Sequence, residues 1–282
     1  MYDFLTEEKI KQNSFLQKID MSFTDCGTAD RGFSYYRVLD GVSSEITEHL
    51  YDAMIPKNFA EKECENKGDF QAFFEENPEI DARRENINII VVSNAEFVGL
   101  LTGMAFHKSK LGYFDYLAVD ESVRKNGIGR KLFYIGKQLL KNTAQEHGYD
   151  NDNLAVLLTV EKQDSTMNLD KGQDSTKRLK FYKHQNCKRV SGMPCIVPGI
   201  CDSKTKEQKE EIEEYDWLIA GVNRNFQDGD VVMDRETALM FNLDNLDLQY
   251  TDLLDRPAEE TETYKKIEES LGEKIYAESL FQ

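Results

Sequence analysis

Residues 113–131 contain the feature that most constrains the fold, because a strand, a glycine loop and a helix follow one another there. Residues 113–119 are aromatic and β-branched, which is typical of a strand. A turn then leads to Gly127 and Gly129, after which apolar residues recur at helical spacing. Backbone N–H groups at a helix N-terminus lack intrahelical partners, and glycines let a ligand approach them closely. The stretch therefore predicts a phosphate-binding loop.

Two glycines alone are a weak signal, because an ordinary strand-to-helix turn would use the same residues. A P-loop requires Lys and then Ser or Thr after its last glycine, whereas Arg130 and Lys131 follow Gly129. A dinucleotide-binding fingerprint requires a third small residue where this chain has Leu132. Neither of these two motifs fits the sequence.

The loop resembles a third motif, the acetyl-CoA pyrophosphate loop of the GNAT (GCN5-related N-acetyltransferase) superfamily. That motif is Arg/Gln-x-x-Gly-x-Gly/Ala, and here Arg124, Gly127 and Gly129 follow a strand that ends Leu-Ala-Val. The resemblance implies that the loop amides hold the pyrophosphate of acetyl-CoA, or of another short acyl-CoA, and that the preceding strand pairs with the pantetheine arm. The cofactor-binding residues that it implies are Leu117, Ala118, Val119, Arg124, Lys125, Asn126, Gly127, Ile128, Gly129, Arg130, Lys131, Ser175 and Tyr182.

The order of the predicted elements extends the resemblance over residues 33–224. A strand at 33–39, a helix from 43 and further helical pieces at 59–64 and 70–76 precede strands at 87–93, 97–106 and 113–119. After the glycine loop and its helix come a buried strand at 154–160, a loop at 161–174, a helix at 175–185, and strands at 188–197 and 215–222. We expect the α/β (α+β) GNAT fold, a mixed, mostly antiparallel sheet of about six to seven strands. The resemblance implies that the strands at 113–119 and 154–160 splay apart.

A second signature of the family, Asn-x-x-Ala-x-x-Phe/Leu-Tyr-x-x-x-Gly-Phe, is similar to residues 175–187. Phe181 and Tyr182 match it, whereas Ser175 replaces Asn and Arg178 replaces Ala. Asn186-Cys187 stand in place of Gly-Phe, a mild change because Asn tolerates the left-handed conformation in which a helix often ends. The replacement by Arg178 is the larger departure.

Transfer of an acetyl group from a thioester to an amine requires a base, a polarised carbonyl and a stabilised thiolate. By resemblance, the Val119 N–H polarises the carbonyl and Tyr182 is the general acid near the sulfur. Asp115 is the first candidate for the base, because period two would place it on the same face of its strand as Val119. Glu161, at the end of the next predicted strand, is the second candidate. Core packing of Tyr182 and a solvated role for either acid remain the alternatives.

The amino-acid composition limits the kinds of partner that we expect the protein to bind. A net charge of −17 over 282 residues argues against nucleic acid and favours a cationic amine, either a small molecule or a protein. The five scattered cysteines suggest reduced thiols and no zinc site, and no signal peptide or membrane-spanning run is apparent, so we expect a cytoplasmic protein with no metal.

The regions that flank the GNAT-like domain differ from it. Residues 1–32 predict a partly helical extension, and residues 225–282 an acidic, mostly helical one with seven Asp and eight Glu against five Lys and Arg. The second is too apolar for a disordered tail, so we expect it to pack on the body or on a second copy in a homodimer. The function expected is N-acetyltransferase; a GNAT-fold binding module and an aminoacyl-tRNA acetyltransferase are the alternatives.

Overall fold

The computed structural model describes residues 13–21, 32–59, 64, 67–74, 82–162, 175–196, 215–254 and 257–280. These residues form one 11-stranded sheet in which ten strands follow the order β1-β2-β4-β5-β6-β7-β9-β8-β11-β10, while β3 pairs with β5. The strands are β1 (Leu16–Lys18), β2 (Ser34–Val38), β3 (Arg84–Asn86), β4 (Asn88–Ser93), β5 (Glu96–Phe106), β6 (Leu111–Val119), β7 (Ala155–Glu161), β8 (Lys188–Ser191), β9 (Tyr215–Gly221), β10 (Val231–Asp234) and β11 (Lys274–Glu278). Among the described pairs only β6 and β7 are parallel.

Helices cover both faces of this sheet. They are α1 (Ser44–Asn58), α2 (Lys67–Ala72), α3 (Ile128–Glu146), α4 (Ser175–His184), α5 (Arg235–Leu254) and α6 (Glu262–Ser270). Apolar side chains of α3 and α4 form one core with one face of β4–β7, which we call the α3 face. Residues of α1 and α2 pack on the opposite face, and α5 adds a neighbouring cluster on the same side.

The sheet confirms the expected fold class, although it contains more strands than predicted. Part of the surplus comes from the C-terminal segment, where β11 pairs antiparallel with β8 and β10 pairs antiparallel with β11. The helices expected in that segment are present as α5 and α6, and Asp234 caps α5 by accepting a hydrogen bond from the Thr237 N–H at 2.8 Å. Residues 225–280 therefore extend the sheet as well as covering it.

The N-terminal segment differs from the expectation in its described part. Leu16–Lys18 is a strand, not a helix, because it pairs antiparallel with β2. This pairing satisfies backbone groups at the edge of the sheet, which a helix at this position would leave open. Predicted features at 1–12, 60–63, 75–81, 163–174 and 198–214 lie outside the described residues.

Candidate active site

A cleft opens in the middle of the sheet because β6 and β7 pair only at their beginnings. The parallel register joins Gly112 to Val156 and Phe114 to Leu158, and no pair follows. Beyond that point β6 continues to Val119 alongside β5, and β7 continues to Glu161 alongside β9. The final halves of the two strands therefore diverge, as the resemblance implies.

The edge of β6 that faces this cleft presents backbone N–H and C=O groups that do not pair with a neighbouring strand. The Asp120 N–H donates to the Val98 carbonyl at 3.0 Å, and Val119 is opposite Gly99. Hydrogen-bonded and non-hydrogen-bonded pairs alternate along an antiparallel ladder, so the N–H and C=O of Val119 point away from β5. Leu117, two residues earlier, has the same orientation, whereas the backbone of Ala118 faces β5. The Leu117 backbone and the Val119 N–H can therefore pair with an extended ligand, whereas the Val119 carbonyl accepts a hydrogen bond from Arg124 Nε at 3.2 Å.

The glycine loop at the end of β6 begins α3 with an unusual backbone. Gly127 is the N-cap residue with a φ of 78°, and Lys125 also has a positive φ, 72°. Among the described residues no side chain caps this helix, whereas Asp234 caps α5 and Thr261 caps α6. The first-turn N–H groups of α3 are thus left without the side-chain acceptor that ordinary caps supply. This arrangement suits an anion such as a pyrophosphate.

The basic residues of the loop occupy different positions. The Arg124 side chain donates to the Val119 carbonyl at 3.2 Å and to the Asn58 side chain at 3.1 Å, which ties the loop to β6 and α1. Lys125 and Arg130 are exposed, as is Asn126. Lys131 is 3% exposed, with its Nζ 5.9 Å from the centre of the Tyr35 ring. Ile128 packs in the core beneath the loop.

A bulge in β6 decides where Asp115 points. Leu117 pairs with Leu101 and Phe114 pairs with Gly103, so β6 contains one residue more than β5 between these pairs. The Tyr116 N–H, displaced from the ladder, donates to the Thr102 hydroxyl at 3.2 Å. Bulges often re-aim side chains beside active sites.

The bulge therefore places the side chains of two consecutive residues, Asp115 and Tyr116, on the same face of the sheet. Phe114, Leu117 and Val119 belong to the α3 face, while Tyr116 packs with α1 and α2. The Asp115 carboxylate lies 3.5 Å from the hydroxyl of Tyr113, on the same side as Tyr116. The expectation that Asp115 and Val119 share a face was wrong, because the extra residue inverts the alternation.

Burial changes the acid strength of Asp115. Loss of solvation raises the pKa of this carboxyl to about 7, against a smaller opposing effect of the Tyr113 hydrogen bond. A base with a pKa near neutrality can accept a proton and release it again at physiological pH. Asp115 is therefore poised for proton transfer.

Tyr182 lies on the other face, close to the glycine loop. A Cβ built on Gly129 would lie 3.4 Å from the Phe181 ring and 3.6 Å from Val119, so α4, the loop and the end of β6 meet there. The Tyr182 ring packs edge-on against Phe133 of α3, with centroids 6.3 Å apart. Burial raises the pKa of Tyr182 well above its usual range, with a further rise from Cys187 and an opposing effect of Arg178.

Glu161 is held in an ion pair. Its carboxylate, 2% exposed, lies 2.7 Å from the Arg178 guanidinium of α4. Its role as a base stays a prediction. Ser175, the first residue of α4, is half-buried.

Two residues of this site, Thr102 and Tyr113, were not predicted from the sequence. Thr102 supports the bulge, and Tyr113 contacts Asp115. Thr102 gave a usable signal, because a hydroxyl residue inside the apolar run 97–106 requires a hydrogen-bond partner. Tyr113 gave none, since aromatic residues are ordinary in a strand.

The described residues contain neither a cluster of metal-binding side chains nor a helix that could span a membrane. Within the ranges given above, no group of three or more His, Cys, Asp or Glu side chains is placed to hold a metal ion. No helix in the same part of the chain has the length and apolar character needed to cross a membrane.

Comparison with protein families gives one match. Residues 47–157 match the model of the Acetyltransferase (GNAT) family, a segment that runs from α1 through the glycine loop to the middle of β7. The GNAT resemblance is confirmed over this segment. A comparison with curated protein sequences found no match.

Solved structures described as GNAT proteins or as acetyltransferases were also found. A tandem GNAT protein from the clavulanic acid biosynthesis pathway is 17% identical with a TM-score of 0.46, and the alignment covers 62% of this chain and 49% of that one. A putative GNAT-family acetyltransferase from Bacteroides thetaiotaomicron is 14% identical with a TM-score of 0.42, over 66% and 85%. Diaminobutyrate acetyltransferase EctA from Paenibacillus lautus, in complex with L-2,4-diaminobutyric acid and coenzyme A, is 12% identical with a TM-score of 0.40, over 71% and 98%. This chain thus spans about half the length of the first of these proteins.

Proposed function

We propose that this chain, whose residues 47–157 match the GNAT acetyltransferase family, transfers an acetyl group from acetyl-CoA to a primary amine. The observation that carries the proposal is the divergence of β6 and β7 after Phe114 and Leu158. The glycine loop and Tyr182 lie on one side of this cleft and Asp115 on the other. A thioester entering from the α3 face and an amine entering from the opposite face would meet between the strands.

The cofactor would be held mainly by backbone groups. In this proposal the pyrophosphate contacts the amides of residues 124–130, where no side chain caps the helix. The pantetheine arm pairs with the N–H and C=O groups of Leu117, as an added strand would, which leaves the Val119 N–H for the thioester oxygen. Exposed Lys125 and Arg130 supply positive charge for the phosphates, whereas buried Lys131 is left out. Another short acyl-CoA would fit the same contacts.

The chemical step uses residues from both faces. Asp115 accepts a proton from the ammonium form of the acceptor, and the neutral nitrogen attacks the thioester carbonyl carbon. The Val119 N–H stabilises the oxygen that becomes negative. The C–N bond forms, the C–S bond breaks with its electron pair moving to sulfur, and Tyr182 donates a hydrogen bond to that sulfur. The second proton leaves the nitrogen, so the products are an amide, the CoA thiol and one proton.

We propose that the acceptor is cationic. The net charge of −17 would attract a positively charged small molecule or protein amine, and Asp115 would face its ammonium group. The cytoplasm is the proposed location.

Ion pairs within the basic segment weaken the alternative of an aminoacyl-tRNA acceptor. Its candidate surface was residues 177–189, but three of its cations are paired with acids. Arg178 pairs with Glu161, Lys188 with Asp228 and Arg189 with Asp216, at 2.7, 2.6 and 3.1 Å. Paired cations release fewer counterions on binding a phosphate backbone.

Binding of acetyl-CoA can be tested by adding one charge to the loop. Gly129→Asp and Gly129→Asn place nearly isosteric side chains at a position where a Cβ makes ordinary contacts. An acid near a helix N-terminus favours the helix but repels a pyrophosphate. Calorimetric titration should show acetyl-CoA binding at least about tenfold weaker in the Asp variant than in the Asn variant, less so at high salt. Equal affinities would contradict a pyrophosphate at this loop.

Catalysis can be tested with a panel of primary amines, including polyamines and amino-terminal peptides, by measuring CoA release. The wild-type protein should turn over at least one amine, and Tyr182→Phe should slow that turnover by about tenfold or more. Binding of acetyl-CoA without turnover of any amine would instead support the alternative of a binding module.

A further inference from the structure

Arg178 occupies a special position on α4. It stands where the GNAT signature has Ala, and it precedes Tyr182 by four residues. Residues i and i+4 of a helix lie on the same face, one turn apart. The Arg178 guanidinium therefore belongs to the same side of α4 as the tyrosine proposed to contact the sulfur.

The guanidinium is fixed in place by Glu161. The 2.7 Å ion pair joins α4 to the last residue of β7, beyond the point where β7 leaves β6. Glu161 is 2% exposed and Arg178 is 23% exposed, so solvent reaches the cation's side of this contact more than the carboxylate. The pair directs the cation at the cleft end of β7.

The ion pair leaves part of the guanidinium without an acceptor. Nε and Nη2 of Arg178 are buried, and no atom of the described residues accepts a hydrogen bond from them. Buried donors of a charged group are costly to leave unsatisfied. Two fixed donor nitrogens beside a cleft therefore point to a ligand that brings an electron-rich atom.

Tyr182 alone is poorly matched to the departing thiolate. Burial raises the pKa of its hydroxyl well above the usual range, while an ordinary thiol has a pKa of about 8.5. Complete proton transfer from this phenol to a thiolate is therefore unfavourable, and a hydrogen bond is the most that it supplies. A fixed cation would stabilise the negative sulfur directly.

We propose that Arg178 is a further catalytic residue that stabilises the CoA thiolate as it leaves, with Glu161 as its positioning residue. This inference rests on the proposed function. As the C–S bond breaks, its electron pair moves to sulfur, and the guanidinium N–H groups donate to that sulfur together with the Tyr182 hydroxyl. The guanidinium keeps its proton, and the sulfur takes one from the acceptor nitrogen through solvent.

The test measures the pKa of the CoA thiol in its complex with the protein. Ultraviolet absorbance of the thiolate is followed against pH, with the complex of desulfo-CoA as the blank for protein tyrosines and cysteines. The wild-type complex should show a thiol pKa below that of free CoA. Arg178→Ala should raise it by about 1 to 3, the effect of removing an opposite charge within a few ångströms. Lys180→Ala removes an exposed charge from the same helix and should leave it unchanged.

Further variants separate catalysis from folding. Arg178→Ala removes the ion-pair partner of the buried Glu161 carboxylate, so the double variant Glu161→Gln with Arg178→Ala removes both charges and should show the same raised thiol pKa. Glu161→Gln alone should raise it less, because the cation remains but is no longer held. An unchanged thiol pKa in folded Arg178 variants that bind CoA would overturn this inference alone. Failure of the wild-type protein to bind CoA would overturn the proposed function as well.

Discussion

The Thr102 hydroxyl accepts a hydrogen bond from the Tyr116 N–H at 3.2 Å, and this contact holds the bulge that turns Asp115 away from the α3 face. Thr102 is 4% exposed, so water cannot replace the hydroxyl. One side chain on β5 thereby controls the direction of an acidic side chain on β6.

Replacing Thr102 should disturb that bulge. Thr102→Val keeps the shape but leaves the Tyr116 N–H buried without an acceptor, which costs about 1–3 kcal/mol of unfolding free energy. Amide hydrogen exchange at Tyr116 should become faster, and turnover should fall because Asp115 loses its orientation. Thr102→Ser retains the hydroxyl and should keep the slow exchange. Equally slow exchange in both variants would show that the hydroxyl does not support the bulge.

The rate of acetyl transfer should depend on the ionisation of Asp115. Because burial raises its pKa to about 7, the rate should increase as the pH passes through about 7 and then level off. Asp115→Asn should lower kcat by about 10²- to 10⁴-fold and remove this ascending limb. The measurement is a pH profile of kcat for any amine that the protein acetylates. A wild-type ascending limb retained in the Asn variant would exclude Asp115 as the base.

The same carboxyl should make the protein less stable at high pH. Its folded pKa of about 7 lies above the ordinary aspartate pKa of 3.8, so between these pH values the folded state binds more protons than the unfolded state. The contribution of Asp115 to stability is therefore lost as the pH rises through about 7. Asp115→Asn should be more stable than wild type at pH 8 by up to a few kcal/mol, because each unit by which the pKa of Asp115 is raised costs the ionised protein about 1.4 kcal/mol.

That stability difference should shrink as the pH falls toward 4, because wild-type Asp115 is then protonated and resembles Asn. Urea unfolding at several pH values measures it. A difference that does not vary with pH would indicate that the substitution acts through packing alone.

The C-terminal helix α5 should contribute strongly to stability through Phe241. Its ring is fully buried and lies 5.9 Å from Phe106, 6.3 Å from Tyr113 and 5.5 Å from Trp217. Phe241→Ala should cost about 3–5 kcal/mol, since the cavity cannot close easily. Phe241→Leu, which leaves a smaller cavity, should cost less. Urea unfolding followed by the emission of Trp217, the only tryptophan, measures both. A small loss in the Ala variant would mean that α5 packs loosely.

The sequence predicted the strand, loop and helix around Gly127 well, because local patterns determine each of them. The bulge at Asp115 was not predictable in this way, since an extra residue shows only when β6 is matched to β5. Lys131 carries a basic side chain next to the loop, but that side chain is buried, with its Nζ near the Tyr35 ring. The strands β10 and β11 are short, with four and five residues, and their partners are distant in sequence.

The placement of β11 between β8 and β10 has a consequence for how the protein folds. Tyr276 pairs with Ser191, a residue 85 positions earlier, and no strand sits between them in the sheet. During synthesis β8 has one open edge until β11 leaves the ribosome, and such an edge can pair with other chains. Closing a long loop before any contact is gained also slows folding. The half of the sheet beyond β9 should therefore form last. Until it forms, the open edge of β8 is exposed, and the growing chain is then most prone to aggregation.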